Sequence, residues 1–328
     1  HGNSLDSIDG YNGYGLALCG FIGDIENGFK FGKLALELYA KYNAKSVESR
    51  VRMISGYFIL HWKKHIRETL AQFEVGFHKG LETGDLENAA GCVYGYSYYS
   101  YFAGIELPII AKKNSRYNDA IKKVQQQTFL EHNQRAWQVV LNLMGRNKNP
   151  IVIIGDVFDE KRALMIYRKE EDQSGIGGLY VEKLFLCYIF QKYDQAVENA
   201  AIAAKHLAAL TSMVPFAVFH FYDSLIQLAV FPEAKKTIQR RILKKVGKNQ
   251  KKMKKWAHHA PMNYLHKWKL AEAERARVLG KDEKAIAFYD QAIAGAKENQ
   301  YIQEEALANE LAAKFYLEKG ETETARKY

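Results

Sequence analysis

Apolar residues recur along most of this chain at three- and four-residue intervals, the spacing of one helix face. The pattern covers 48–62, 66–82, 114–145, 180–191, 194–210, 213–230, 262–279, 283–298 and 301–318. It predicts about sixteen helices, paired as eight hairpins. Two stretches break the rhythm. Residues 147–159 contain Pro150 and the strand-like run Ile151-Val152-Ile153-Ile154. Residues 173–178 are rich in glycine and read as a loop. These breaks divide the chain into helical repeats over 1–146, an irregular connection over 147–178, and helical repeats over 179–328.

A short phrase punctuates the helices. It stands as Gly23-Asp24-Ile25-Glu26-Asn27-Gly28 and Gly84-Asp85-Leu86-Glu87-Asn88-Ala89. It returns as Gly280-Lys281-Asp282-Glu283-Lys284-Ala285 and Gly320-Glu321-Thr322-Glu323-Thr324-Ala325, with a glycine-free relative at Lys192–Ala196. Glycine stops one helix in the left-handed conformation. An acidic residue favours the first turn of the next helix through the helix dipole. The small Ala or Gly then allows close helix packing. Such phrases resemble tetratricopeptide repeats, in which Ala holds this place with an aromatic nearby. Here Phe288 and Tyr289 follow Ala285, and Tyr328 follows Ala325. The expected fold is all-α, a TPR-like helix–turn–helix superhelix (an α-solenoid) with elongated, irregular repeats. The last helix has only begun at Tyr328, which suggests a C-terminal truncation, and the absence of an initiating Met suggests an excised piece.

Composition adds little until charge is mapped. Five prolines in 328 residues suit long helices. No run reaches the roughly 18 apolar residues of a membrane span. Three scattered cysteines, Cys19, Cys92 and Cys187, argue against a disulfide framework and fit burial in a reducing, cytoplasmic setting. The net charge of +10 is concentrated: Lys235–Lys255 carries eleven Lys or Arg and no Asp or Glu. That segment reads as an amphipathic helix, with Ile238, Ile242, Val246 and Met253 on one face. Lys236, Arg240, Lys244, Lys248 and Lys252 stand four apart on another. An outer helix with a solvated face is the simplest account. An anionic partner, nucleic acid or a membrane surface is the functional one.

Candidate chemistry is sparse. Gly28–Leu34 mimics a phosphate loop but is one residue short between its glycines and has Leu where Ser or Thr must bind magnesium. The aromatic run Tyr94, Tyr96, Tyr98, Tyr99, Tyr101 reads as a packed seam between helices, with a ligand-groove lining as the sharper alternative. His220 and Asp223 share a helix face beside Tyr222. Trp256, His258, His259 and Asn263 cluster around Pro261, which suits the first turn of a helix. Zinc would need three or four ligands converging at about 2.0–2.2 Å, and adjacent histidines diverge. Neither metal nor cofactor is assigned, and no nucleophile or acid pair marks a catalytic site. His220, Tyr222, Asp223, Trp256, His258, His259 and Asn263, with Glu305 and Asn309, are the candidate binding residues of a concave surface.

The second half also resembles a known family. The segments are Phe219–Ser224, Lys251–Asn263, Glu272–Gly280, Ala292–Asn299 and Glu304–Tyr316, preceded by Gly155–Glu160. They are similar to the helical-repeat region of cyanobacterial-type multidomain signalling proteins. There a serine/threonine kinase and an AAA/STAND-type NTPase precede the repeats, and a GAF sensor and a histidine kinase follow them. Over 1–145 the likeness is weaker and rests on Tyr101–Gly104 and the repeat phrase. The family's catalytic motifs have no counterpart here. The resemblance implies a non-catalytic regulatory or scaffold module that holds a protein or peptide partner, neighbouring domains of its own chain, or a small-molecule inducer. Nucleic-acid binding through 235–255 is the alternative.

Overall fold

The computed structural model describes residues 3–328. Among these it contains sixteen α-helices and no sheet, with most consecutive helices packed as antiparallel pairs. The helices are α1 (Asp6–Ala17), α2 (Ile25–Lys41), α3 (Glu48–Phe58), α4 (Ile66–Thr83), α5 (Leu86–Ser100), α6 (Leu107–Lys123), α7 (Gln127–Leu143) and α8 (Glu160–Lys169). There follow α9 (Gln173–Ile189), α10 (Tyr193–His206), α11 (Val214–Ala229), α12 (Lys236–His259), α13 (Pro261–Val278), α14 (Asp282–Glu298), α15 (Ile302–Glu318) and the four-residue α16 (Thr322–Ala325).

The repeat phrase does what its chemistry predicts. Gly23, Gly84, Gly280 and Gly320 lie at φ of 76°, 78°, 65° and 77°, each ending a helix. Asp24 then caps α2, its carboxylate accepting from the Asn27 amide at 3.1 Å. The small positions are buried: Ala89, Ala285 and Ala325 pack inward. A Cβ at Gly28 would come within 2.8 Å of the Gly15 carbonyl oxygen, so α1 and α2 approach there too closely for any side chain.

Three expectations need correction. The run 114–145 is not one helix: it holds the end of α6 and all of α7, parted at Gln125, which takes φ of 57°. Residues 173–178 are not a loop but the first turns of α9. Their glycines serve close packing: a Cβ at Gly178 would stand 2.6 Å from the Arg135 guanidinium. Asp172 caps this helix, accepting from the Gly175 amide at 2.7 Å. The irregular stretch between α7 and α8 is therefore shorter than 147–178. Within it, Ile151–Ile154 is no strand beyond a single bridge between Ile154 and Asp159. Side chains take up its backbone groups instead. Asn142 donates to the carbonyls of Pro150 and Val152 at 3.0 and 2.9 Å, Asn147 donates to Ile154 at 2.7 Å, and Glu160 accepts from the Ile153 amide at 2.8 Å.

One continuous core runs from Cys19 to Ala325. Its centre is α5, buried at every position from Ala89 to Ser100. The tyrosine run is thus a seam: Tyr94, Tyr96, Tyr98, Tyr99 and Tyr101 are all buried, and Tyr94 stacks on Tyr98 at 5.4 Å. Helices distant in sequence close on one another. The Tyr99 hydroxyl accepts from the Val214 amide at 3.1 Å, and the Trp62 indole donates to the Ser212 hydroxyl at 3.0 Å. Gln303 donates to the Phe102 carbonyl at 3.1 Å, and Arg67 to the Gln300 carbonyl at 2.7 Å. The start of α15 therefore rests against the α5–α6 turn.

Candidate functional site

That closure leaves one largely apolar cleft of about 400 Å³. Tyr101, at the end of α5, and Gly104 form one wall. Phe185 and Ile189 of α9 with Tyr222 of α11 form the back, and Ile302, Gln303, Ala306 and Glu310 of α15 form the other wall. The rings are fixed by mutual packing: Phe185 lies 5.1 Å edge-on to Tyr222, and Tyr101 stacks on Phe185 at 6.3 Å. Polar groups are few. Glu310 stands at the rim, accepting from Gln191 at 3.2 Å, and the buried Oε1 of Gln303 has no hydrogen-bond partner. A shallow groove lined by Glu305, Asn309 and Tyr328 shares Ile302, Ala306 and Glu310 with the cleft. Three of the nine sequence candidates, Tyr222, Glu305 and Asn309, therefore lie along one continuous depression.

The other six lie elsewhere, because the helices that carry them turn those side chains into the core or to another surface. His220 and Asp223 face α12. The Lys245 ammonium donates to Asp223 Oδ1 at 2.6 Å, and Asn249 donates to Asp223 Oδ2 at 2.8 Å. Asn249 Oδ1 can only accept, so His220 Nδ1–H donates to it at 2.9 Å. His220 Nε2 then accepts from Lys252 at 3.2 Å. This chain of donors requires a neutral imidazole. Burial and the Lys252 charge hold its pKa down to about 4. Trp256 packs on the same ring at 5.5 Å and is buried. His258 is exposed and His259 half-buried at the end of α12, beside Lys63 and Glu26. Among the described residues no group of three His, Cys, Asp or Glu side chains is placed to hold a metal ion.

Asn263 is a fastener between distant helices. Its amide donates to the carbonyls of His61 and Lys64, both at 2.7 Å, and its oxygen accepts from the Ile66 amide at 3.1 Å and the Tyr301 hydroxyl at 2.7 Å. Beside it, buried Glu304 pairs with both His266 and Lys267. Replacing Asn263 by Ala strands four polar groups, three of them buried. The expected loss is about 2 kcal/mol of unfolding free energy, measured by urea denaturation, while the far-ultraviolet circular dichroism of the folded protein stays unchanged.

The basic segment forms α12, the longest helix, seated by Ile242, Val246, Met253 and Trp256. Ile238 lies on that face but stands exposed near the start of the helix. The five cations four apart do not share one face, since steps of four residues drift about 40° each on a 3.6-residue helix. Lys252 accordingly swings to His220, with its ammonium 5.4 Å over the Phe216 ring. The cations that do align are Arg240, Lys244, Lys248, Lys251 and Lys255, all exposed. All three cysteines are buried, and burial pushes the Cys19 thiol up to about 12.

Sequence reasoning missed the aliphatic and amide cleft residues Ile189, Ile302 and Gln303, and the buried pair of Arg135 with Glu182. The only sequence signal for that pair was glycine at 178, where the guanidinium needs room. Among the described residues no helix is long and apolar enough to cross a membrane. No protein-family model matches the chain, and no curated protein matches it.

Proposed function

We propose that the chain is a TPR-like helical superhelix serving as the non-catalytic regulatory module of a multidomain signalling kinase of the kinase–NTPase–GAF–histidine kinase type. The observation that carries the binding part of this reading is the aromatic cleft between α5, α9, α11 and α15, with its extension to Glu305 and Asn309. Its wall is built of mutually packed rings, its floor is apolar, and its rim carries the Glu310 carboxylate, which Lys314 already pairs. That combination suits an apolar peptide side chain flanked by a donor or a cation. The resemblance to the family supplies the regulatory context. Its motif residues His220, Asp223, Trp256 and Asn263 hold helices together, so they bear on the fold and the cleft bears on binding.

Ala306 is exposed on the cleft wall, so Ala306→Trp fills the space without disturbing the core. Peptides selected from a display library on the wild-type chain are expected to lose about tenfold or more in affinity for the Trp variant by calorimetric titration. The same change in the full-length protein is expected to alter its kinase output. Equal binding to both forms, together with unchanged output, would refute the proposal.

A further inference from the structure

We propose that the exposed stripe of α12 and the adjoining Phe21–Ile22 turn form one surface that docks on an anionic lipid bilayer. Arg240, Lys244, Lys248, Lys251 and Lys255 fall within about 80° of one another around the helix, opposite the face that packs on α11 and α13. Among the described residues, Lys245 is the one cation of the eleven in 235–255 with a carboxylate partner. Asp24 is the acidic neighbour of Lys255, but the five aligned cations have no carboxylate at ion-pair distance among the described residues and form a straight positive ridge. A polyanion is its complement.

The second observation lies at the end of that ridge. The Lys255 ammonium donates to the Gly23 carbonyl at 2.8 Å. Gly23 closes a π-helical turn, Leu18–Ile22, and takes φ of 76°. In that turn Leu18 and Cys19 are buried, and a Cβ on Gly20 would stand 2.9 Å from Ser212 Cβ, so the segment is fixed to the core. Phe21 and Ile22 nevertheless project outward, 74% and 67% exposed, the highest values among the large hydrophobic side chains described. A rigid turn that displays two apolar side chains beside a row of cations matches what a bilayer interface offers: anionic headgroups, then hydrocarbon. Nucleic acid shares the charge but gives no binding site to Ile22, which has no ring to stack on a base.

Co-sedimentation with vesicles tests this. The chain is expected to pellet with equimolar phosphatidylserine and phosphatidylcholine, to stay in solution with phosphatidylcholine alone, and to dissociate as salt rises. Lys244→Glu with Lys251→Glu is expected to weaken binding by at least about tenfold. Phe21→Ser with Ile22→Ser is expected to do the same at unchanged melting temperature. Absence of binding to phosphatidylserine vesicles at low salt would overturn the proposal. So would full binding by the Phe21/Ile22 variant, which would leave only charge attraction. Tighter binding to single- or double-stranded nucleic acid at the same ionic strength would assign the ridge to that partner instead.

Discussion

Replacing Arg135 by Met is expected to remove about 3–5 kcal/mol of stability, enough to populate unfolded chain at modest urea concentrations. Arg135 and Glu182 are both 0% exposed, with Nε 2.7 Å from the carboxylate. Around the guanidinium, Arg135 donates to the Tyr94 hydroxyl at 2.8 Å and to the Gly175 carbonyl at 3.1 Å, while the Tyr101 hydroxyl donates to Glu182 at 2.9 Å. The pair joins α7 to α9 and is surrounded by tyrosine rings. Met fills similar volume but leaves a carboxylate in an apolar site, where burial already pushes the Glu182 carboxyl up. Removing both charges, as Arg135→Met with Glu182→Leu, is expected to recover most of the loss, because the desolvation of two ions disappears together. Urea denaturation of the two single variants and the double variant gives the coupling directly. A double variant no more stable than the Met single would show that the loss comes from packing and not from charge.

The legible parts of this fold were those governed by local chemistry. Glycine at 23, 84, 280 and 320 announced helix ends because left-handed backbone is inexpensive only for glycine. Pro261 announced a helix start for a similar local reason, and α13 begins there. The same rule failed where other residues bear the strain. Asn43, Gln125, Glu171, Gln191, Ser212 and Gln300 all take positive φ, and only Asn43 among them is a residue type that favours it. All but Ser212 stand just past an α-helix end, closed by local backbone bonds such as the Lys192 amide to the Cys187 carbonyl at 2.7 Å, and with no glycine to mark it the α6–α7 boundary was read as continuous helix. Residues 173–178 failed in the opposite sense: glycines that signal a loop locally were there to admit Arg135 and the α10 end.

The candidate site was legible in part for the same reason. Tyr222, Glu305 and Asn309 fell along the cleft, but its walls come from helices more than a hundred residues apart, and no local pattern records which faces meet. His220 and Asp223 were correctly paired on one helix face, yet their partner is the face of α12 opposite the cations. The basic helix thus has two separate roles: Asn249 and Lys245 satisfy a buried histidine–aspartate pair, and the exposed stripe remains free for an external anion.

The pH dependence of stability follows from such histidines. His61, His220 and His266 are buried, and burial holds each pKa near 4 against an ordinary 6.5. His61 donates from Nε2 to the Ser212 carbonyl at 2.8 Å and accepts at Nδ1 from Tyr264 at 2.7 Å, so it too is neutral. His220 faces the Lys252 and Lys245 ammonium groups, and His266 faces Lys267 and Glu304. Between pH 6.5 and 4 the unfolded chain binds protons that the folded chain refuses. Stability therefore rises with pH across this window: it is full above about pH 7, falls as pH drops through 6.5, and levels off for these groups below 4. Each of these histidines costs about 3 kcal/mol of stability at the acid end. Glu304, held below its ordinary value by the Lys267 charge, and Asp172, held down by hydrogen bonds from His132, the Gly175 amide and Ser174, lose their contribution only at lower pH, after the histidines have acted. Urea midpoints measured from pH 7.5 to 4.5 are expected to fall steadily. His220→Gln, which keeps an acceptor toward Lys252 and a donor toward Asn249, is expected to flatten the slope by less than about a third, since His65, His132 and His259 are also held below their ordinary values. A flat profile in the wild-type chain, or an unchanged slope in the Gln variant, would show that these imidazoles accept protons in the fold.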